Sequence, residues 1–202
     1  MTARRLRLAV LVSGSGRSLR NLLERSRAGT LPADVALVIS SRADAGALQH
    51  AAAFGVKALT LKTGEVTAAI DAAKPDLVVM AGYLRAWPLP DRWAGRTINI
   101  HPALLPLFGG KGMYGRFVHE AALASGMKIS GCTVHFVTQN YDDGPIIVQR
   151  TCPVLDDDDA STLAARVFAE ELEALPEAIR LFAEDRLRIE GRRVRVSPSA
   201  AP

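Results

Sequence analysis

The sequence predicts an α/β protein: an open, mostly parallel twisted sheet of Rossmann-like type with helices on both faces and an antiparallel addition in the C-terminal half. Three observations predict it. Short runs rich in Val, Leu and Ile alternate with Ala-rich stretches over the first two thirds, as in βαβ units. A glycine-rich turn, Ser13-Gly14-Ser15-Gly16, follows the first apolar run. From Lys128 the pattern changes to two longer strand-like stretches joined by a polar turn. With 202 residues, 49% of them hydrophobic, the expectation is one domain over 1–202 with one continuous core.

In chain order, Leu6 to Val12, Asp34 to Ile39, Asp76 to Met80 and Thr97 to Ile100 read as strands. Ser18 to Arg27, Ala43 to Phe54 and Val66 to Ala73 read as the intervening helices, with Gly55 and Pro75 punctuating helix ends. Ile129 to Val137 and Pro145 to Val154 read as an antiparallel pair around the polar stretch 139–144. Ala160 to Ala183 reads as a long helix, with Leu163, Val167, Leu172, Leu175 and Ile179 near helical spacing. Leu187 to Val196 alternates around Gly191 as a terminal hairpin, and Ser197 to Pro202 reads as a frayed tail.

Composition narrows the function classes. The charge is 25 basic against 21 acidic residues, a net +4, and the pI near 9.4 invites a polyanion-binding role. The excess, however, sits at the two ends: +3 over residues 1–7 and +3 over 180–202, leaving −2 between them. That is the pattern of a solvated surface, so no nucleic-acid partner is expected. No apolar run reaches the roughly 18 residues of a membrane span, and the first apolar run is too short for a secretory signal; the expectation is a cytoplasmic protein without a membrane partner. Cys132 and Cys152 lack the spacing of a zinc site or a disulfide framework and read as buried thiols.

The turn at 12–19 places glycines where main-chain N–H groups can approach an anion at a helix N-terminus. It lacks a P-loop lysine, and Leu19 stands where a dinucleotide fold has its third glycine. A single terminal phosphate suits it better than a pyrophosphate. The broken glycine pattern also sets aside an NADP reading of Ser41-Arg42. A tight turn capped by Ser18 and binding nothing is the bland alternative.

Asn99 and His101 stand two apart in a strand and so share one face, at the C-terminal end where open α/β sheets bind ligands. An amide that donates without titrating, beside an imidazole that donates and transfers protons, suits the oxyanion of an acyl-transfer intermediate. His135 sits in an alternating strand and fits a structural role. The turn Tyr141-Asp142-Asp143-Gly144-Pro145 supplies carboxylates. An Asp142 that reaches His101 would raise its pKa towards working pH, although spacing alone leaves Asp142 and Asp143 open. The absence of a nucleophile elbow and of His/Glu zinc spacing favours direct transfer and no metal. Asp156 to Asp159 read as a solvated run at a helix N-terminus.

Taken together, SGSGRS (13–18), MAGYLR (80–85), NIHPALLP (99–106), GCTVHFV (131–137) and DDGPIIVQ (142–149) resemble the phosphoribosylglycinamide formyltransferases of purine biosynthesis. The likeness runs in unbroken order from about Leu6 to Leu187. It implies transfer of a formyl group from 10-formyltetrahydrofolate, a co-substrate, to the amine of glycinamide ribonucleotide, by a monomer or homodimer. By motif position it implies that Gly16, Arg17 and Ser18 hold the ribonucleotide phosphate and that Leu84, Arg85, Ala86 and Trp87, with Asn99, line the folate pocket. Asn99, His101 and Asp142 would be catalytic, His135 supporting, and Glu171 a contact to the glycinamide portion. Ser18, Ala103 and Phe168 depart from the family's usual Asn, Ser and Gln. The 62–73 stretch is short and lacks an Arg that the family places towards the folate, and Gly109 to Gly115 enlarge a loop that reads either as a flap or as inert surface. The resemblance leaves formyltetrahydrofolate hydrolases and tRNA or amino-sugar formyltransferases as rivals, and a non-catalytic folate- or phosphate-binding module as the alternative from another class. The hydrolases usually add an N-terminal domain and the tRNA enzymes a C-terminal barrel, neither of which is expected in this length.

Overall fold

The computed structural model describes residues 5–198, which fall into two compact units: residues up to Ile98 with Phe182–Asp185, and Asn99–Leu181 with the residues from Arg186 on. In the first unit, β1 (Leu6–Val12), β2 (Ala33–Ser40), β3 (Ala58–Thr60) and β4 (Leu77–Met80) pair in parallel in the order β3-β2-β1-β4. Leu8 to Val12, Leu37 to Ile39 and Leu77 to Val79 are buried without interruption, as expected of strands covered on both faces. Between them run α1 (Arg17–Arg27), α2 (Ala47–Ala53) and α3 (Thr63–Ala73). α1 buries Leu19, Leu22 and Leu23, one stripe at i, i+3 and i+4.

The second unit carries the last residues of β5 (Thr97–His101), then α4 (Arg116–Ala124), β6 (Ile129–Phe136), β7 (Ile146–Pro153), most of α5 (Ala160–Ala183), β8 (Leu187–Glu190) and β9 (Arg193–Val196). β6 and β7 are antiparallel, β9 joins β7 in parallel at Ile146↔Arg193, and β8 closes the hairpin on β9. Cys152 lies opposite Ser130, and Cys132 opposite Arg150. The two thiols are therefore not cross-strand partners, and both are free and buried.

The α/β class is as expected, with four local corrections. The helix expected from Ala43 begins at Ala47, because Gly46 stands at its N-cap and 43–46 form the approach to it. β3 and α4 were not expected. β3 is three residues long and pairs only with β2 within its unit. α4 is nine residues, about two and a half turns, starts after Gly115 with no side-chain cap, and buries only Val118, His119 and Ala122. The aspartate run is only partly solvated. The Asp158 side chain is 2% exposed and ion-paired to Arg166 at 2.6 Å, while Asp159 Oδ1 accepts the N–H groups of Ser161 and Thr162 at 2.7 and 2.8 Å, capping α5. Ser197 belongs to the hairpin rather than to a tail, since its N–H donates to the Arg186 carbonyl and its own carbonyl accepts from Arg186 Nε; 199–202 lie outside the described residues.

Candidate active site

β5 ends on the two polar side chains its alternation places together. His101 is 4% exposed, and Asn99 is half-buried. The 138–145 turn brings a carboxylate to both: Asp142 Oδ1 is 3.4 Å from Asn99 Nδ2, and Asp142 Oδ2 is 3.5 Å from His101 Nδ1. Asp142 adopts φ 52° to make this approach. Asp143 turns onto Arg192, at 3.0 Å. The structure thus selects Asp142 over its neighbour, which spacing alone could not do.

Hydrogen-bond directions follow from the inventory of donors. His101 Nε2 lies 2.9 Å from the Phe108 carbonyl, so that nitrogen carries hydrogen and donates, leaving Nδ1 towards Asp142. Asn99 Nδ2 donates to His135 Nε2 at 3.1 Å, so His135 accepts there and donates from Nδ1 to the Phe136 carbonyl at 2.9 Å. His135, 2% exposed, therefore aims the Asn99 amide. The Gly110 N–H donates to Asp142 Oδ2 at 2.9 Å. The glycine-rich loop is consequently part of the site's framework and not inert surface. A Cβ on Gly109 would stand 2.5 Å from Leu105 Cδ2 and 3.1 Å from Asp142 Cβ, so a side chain here would press on Leu105 and on Asp142.

The electrostatics correct one expectation. Burial pushes His101 below its ordinary value of 6.5, and although Asp142 and the Phe108 carbonyl pull it back up, the net direction is down. At rest near neutral pH the imidazole is uncharged. Burial raises the Asp142 carboxyl, but His135, His101 and the Gly110 N–H together carry it below 3.8, so Asp142 is the charge in the site. His119 on α4 went unnoticed in the sequence because α4 itself did. It is 4% exposed, its Nδ1 has no hydrogen-bond partner among the described residues, and burial, followed by the nearby His101, lowers its pKa. Phe108 and Gly110 were also missed, since they act through backbone groups that no side-chain pattern reveals.

Both histidines bind protons more weakly folded than unfolded. The unfolded chain takes up more protons as pH falls through 6.5, so stability is complete above that pH and declines below it towards the folded values. Urea midpoints at pH 7.5 and 5.5 should show this loss, and His119→Gln should reduce it. A wild-type midpoint that is flat between those pH values would contradict the assignment.

The other expected site residues lie on elements of their own. Glu171 is on α5, where its charge, after burial, contributes to pushing the Cys132 thiol up to about 12. In the first unit, Gly16 is the N-cap of α1 with φ 75°, and no side chain caps that helix among the described residues, Ser18 included. A Cβ on Gly16 would meet Ala47 Cα at 2.5 Å. The helix thus starts with main-chain donors uncovered by a side chain, the arrangement that receives an anion. Leu84, Arg85 and Ala86 are exposed in an irregular stretch after β4, and Trp87 is buried. Among the described residues no group of three His, Cys, Asp or Glu could hold a metal ion, and no helix is long and apolar enough to cross a membrane.

An amide, an imidazole and a carboxylate thus meet around one point of the second unit, and the sequence places the chain in the formyl transferase family. The profile of that family matches residues 6–179. It is 40% identical over 199 residues to the chloroplastic phosphoribosylglycinamide formyltransferase of Vigna unguiculata, covering 93% of this chain and 64% of that protein, so it spans just under two thirds of that relative. Among solved structures it resembles glycinamide ribonucleotide transformylase 1 from Symbiobacterium toebii, with 43% identity, a TM-score of 0.86, and 96% and 94% of the two chains covered. It also resembles a formyltetrahydrofolate deformylase from Pseudomonas syringae pv. tomato, with 26% identity, a TM-score of 0.88, and 96% of this chain against 67% of that one.

Proposed function

We propose that this chain transfers the formyl group of 10-formyltetrahydrofolate to the amine of glycinamide ribonucleotide, with 1–202 working as one formyltransferase domain in the cytoplasm on small-molecule substrates. The observation that carries the reading is the convergence of Asn99, His101 and Asp142, at 3.4 and 3.5 Å, from two separate stretches of chain.

The neutral amine attacks the formyl carbon, forming the new C–N bond and placing the electron pair on the formyl oxygen. His101 Nε2–H and one Asn99 amide hydrogen stabilise that oxyanion. The Asn99 hydrogen comes from its 3.4 Å bond to Asp142, longer than the 3.1 Å bond to His135. For His101 the Phe108 carbonyl must yield its place at Nε2. Ionised Asp142 accepts the amine proton through water. Collapse breaks the carbon–N10 bond, and a solvent proton goes to N10 as tetrahydrofolate leaves. The uncapped N-terminus of α1, with Gly16, Arg17 and Ser18, receives the acceptor's phosphate; Leu84 to Trp87 receive the donor's pterin; Glu171 contacts the glycinamide end.

A second reading, hydrolysis of the same donor, is favoured by the likeness to the deformylase. Mixing the protein with 10-formyltetrahydrofolate and following folate absorbance separates the two. Transfer predicts tetrahydrofolate formation only when glycinamide ribonucleotide is present. Formation without the acceptor establishes hydrolysis, and no formation under either condition leaves a binding module.

A further inference from the structure

The stretch after β4 is irregular, yet its two ends are tied. The Leu84 N–H donates to Ser13 Oγ at 2.8 Å, and Trp87 Nε1–H donates to Thr67 Oγ1 at 2.9 Å. Ser13 is 4% exposed and lies just beyond β1, the strand that has β2 on one side and β4 on the other. Its Oγ also shares a 2.6 Å hydrogen bond with Ser41 Oγ beyond β2. Ser41 is fixed in turn by its own N–H, which donates to the Val12 carbonyl at 3.1 Å. Thr67 projects from α3, and Trp87 is 7% exposed beneath it. Tyr83, 8% exposed, is a further buried anchor. Between these fastenings Leu84, Arg85 and Ala86 stay exposed and outside any helix or strand.

An exposed irregular stretch would ordinarily be free to move, and ordering its backbone when a ligand binds costs affinity. Two side-chain hydroxyls that fasten its ends remove much of that cost before a ligand arrives, and pre-organisation of this kind appears as affinity. The ligand class that gains from a fixed, exposed strip of main chain is a flat heterocycle whose edge alternates donors and acceptors.

We propose that Ser13 and Thr67 are positioning residues for the formyl donor: their hydroxyls hold the two ends of the Leu84–Trp87 stretch in the shape that receives the donor's pteridine edge. Neither hydroxyl touches the donor; both act through the backbone they fasten. This rests on the reading of 10-formyltetrahydrofolate as donor.

The test compares Ser13→Ala, Thr67→Val and Thr67→Ser with the wild type. Readouts are KM for each substrate, kcat, the thermal midpoint, and the Kd of folic acid, an unreactive pteridine, followed by tryptophan fluorescence. Loss of the hydrogen bond that fastens each end of the stretch predicts a rise of about fivefold in folic acid Kd and donor KM for Ser13→Ala and for Thr67→Val. Acceptor KM and kcat should stay within about twofold, and Thr67→Ser should restore donor KM. Unchanged donor KM in both variants overturns the proposal. So does a parallel change in both KM values and kcat that follows the thermal midpoint, the signature of a merely structural role. A wild-type protein that neither binds folic acid nor consumes 10-formyltetrahydrofolate overturns the donor reading, and this proposal with it, and is recognisable before any variant is made.

Discussion

Replacing Asn99 or His101 by alanine lowers kcat at least about a hundredfold, with the protein still folded. Removing one preorganised oxyanion donor elsewhere costs about 2.7 to 4 kcal/mol in the barrier, and here each proposed donor is held by its own partner, Asn99 by the buried His135 and His101 by the Phe108 carbonyl. The two variants differ in what they leave behind. Asn99→Ala frees His135 Nε2 in a buried position, so some loss of stability accompanies the loss of rate. His101→Ala deletes a ring whose protonated form the site disfavours, and so softens the acid-side fall in stability. Steady-state kinetics with circular dichroism on the same samples decides the matter, and turnover within tenfold of wild type in either variant removes that residue from the chemistry.

Asp142→Asn is the second large effect. The carboxylate pulls His101 upward against burial and accepts the Gly110 N–H at 2.9 Å, and in the proposed transfer it is also the ionised acceptor for the amine proton. Asparagine keeps the shape and removes the charge. A general base is worth about 10²- to 10⁴-fold, so kcat should fall by about a hundredfold or more. The His101 pKa, already below 6.5, should move further down, which NMR titration of the imidazole reads directly. An unchanged His101 titration would mean that the 3.5 Å contact carries no electrostatic coupling.

Much of the site could be read in the sequence because its chemistry is local. Asn99 and His101 share a face by the two-residue period of a strand, and the turn proposed to receive phosphate is a glycine pattern at the end of an apolar run. Other parts could not be read. α4 begins behind a glycine-rich stretch and without a capping side chain, so its short apolar pattern did not stand out, and His119 was lost with it. The aspartates at 156–159 look alike in the sequence, yet Asp158 is withdrawn onto Arg166, eight residues along. The Cys pair could be judged free from composition, and the register of β6 on β7 gives the reason.

The His101 pKa shows the boundary between the two kinds of information. Proximity to a carboxylate suggested an upward shift, and the carboxylate is indeed there, but burial acts in the opposite sense and is larger. By itself the sequence determined the α/β class, the positions of most strands and helices, and the residue types able to stabilise a developing oxyanion. All of these are written in spacings of two to four residues. Only the tertiary structure decided which aspartate faces His101, which nitrogen of that ring carries the hydrogen, that the Gly110 N–H holds Asp142 and the Phe108 carbonyl holds His101, and that the resting imidazole is neutral. Those outcomes depend on desolvation and on partners distant in the chain, and both come into being only when the chain has closed on itself.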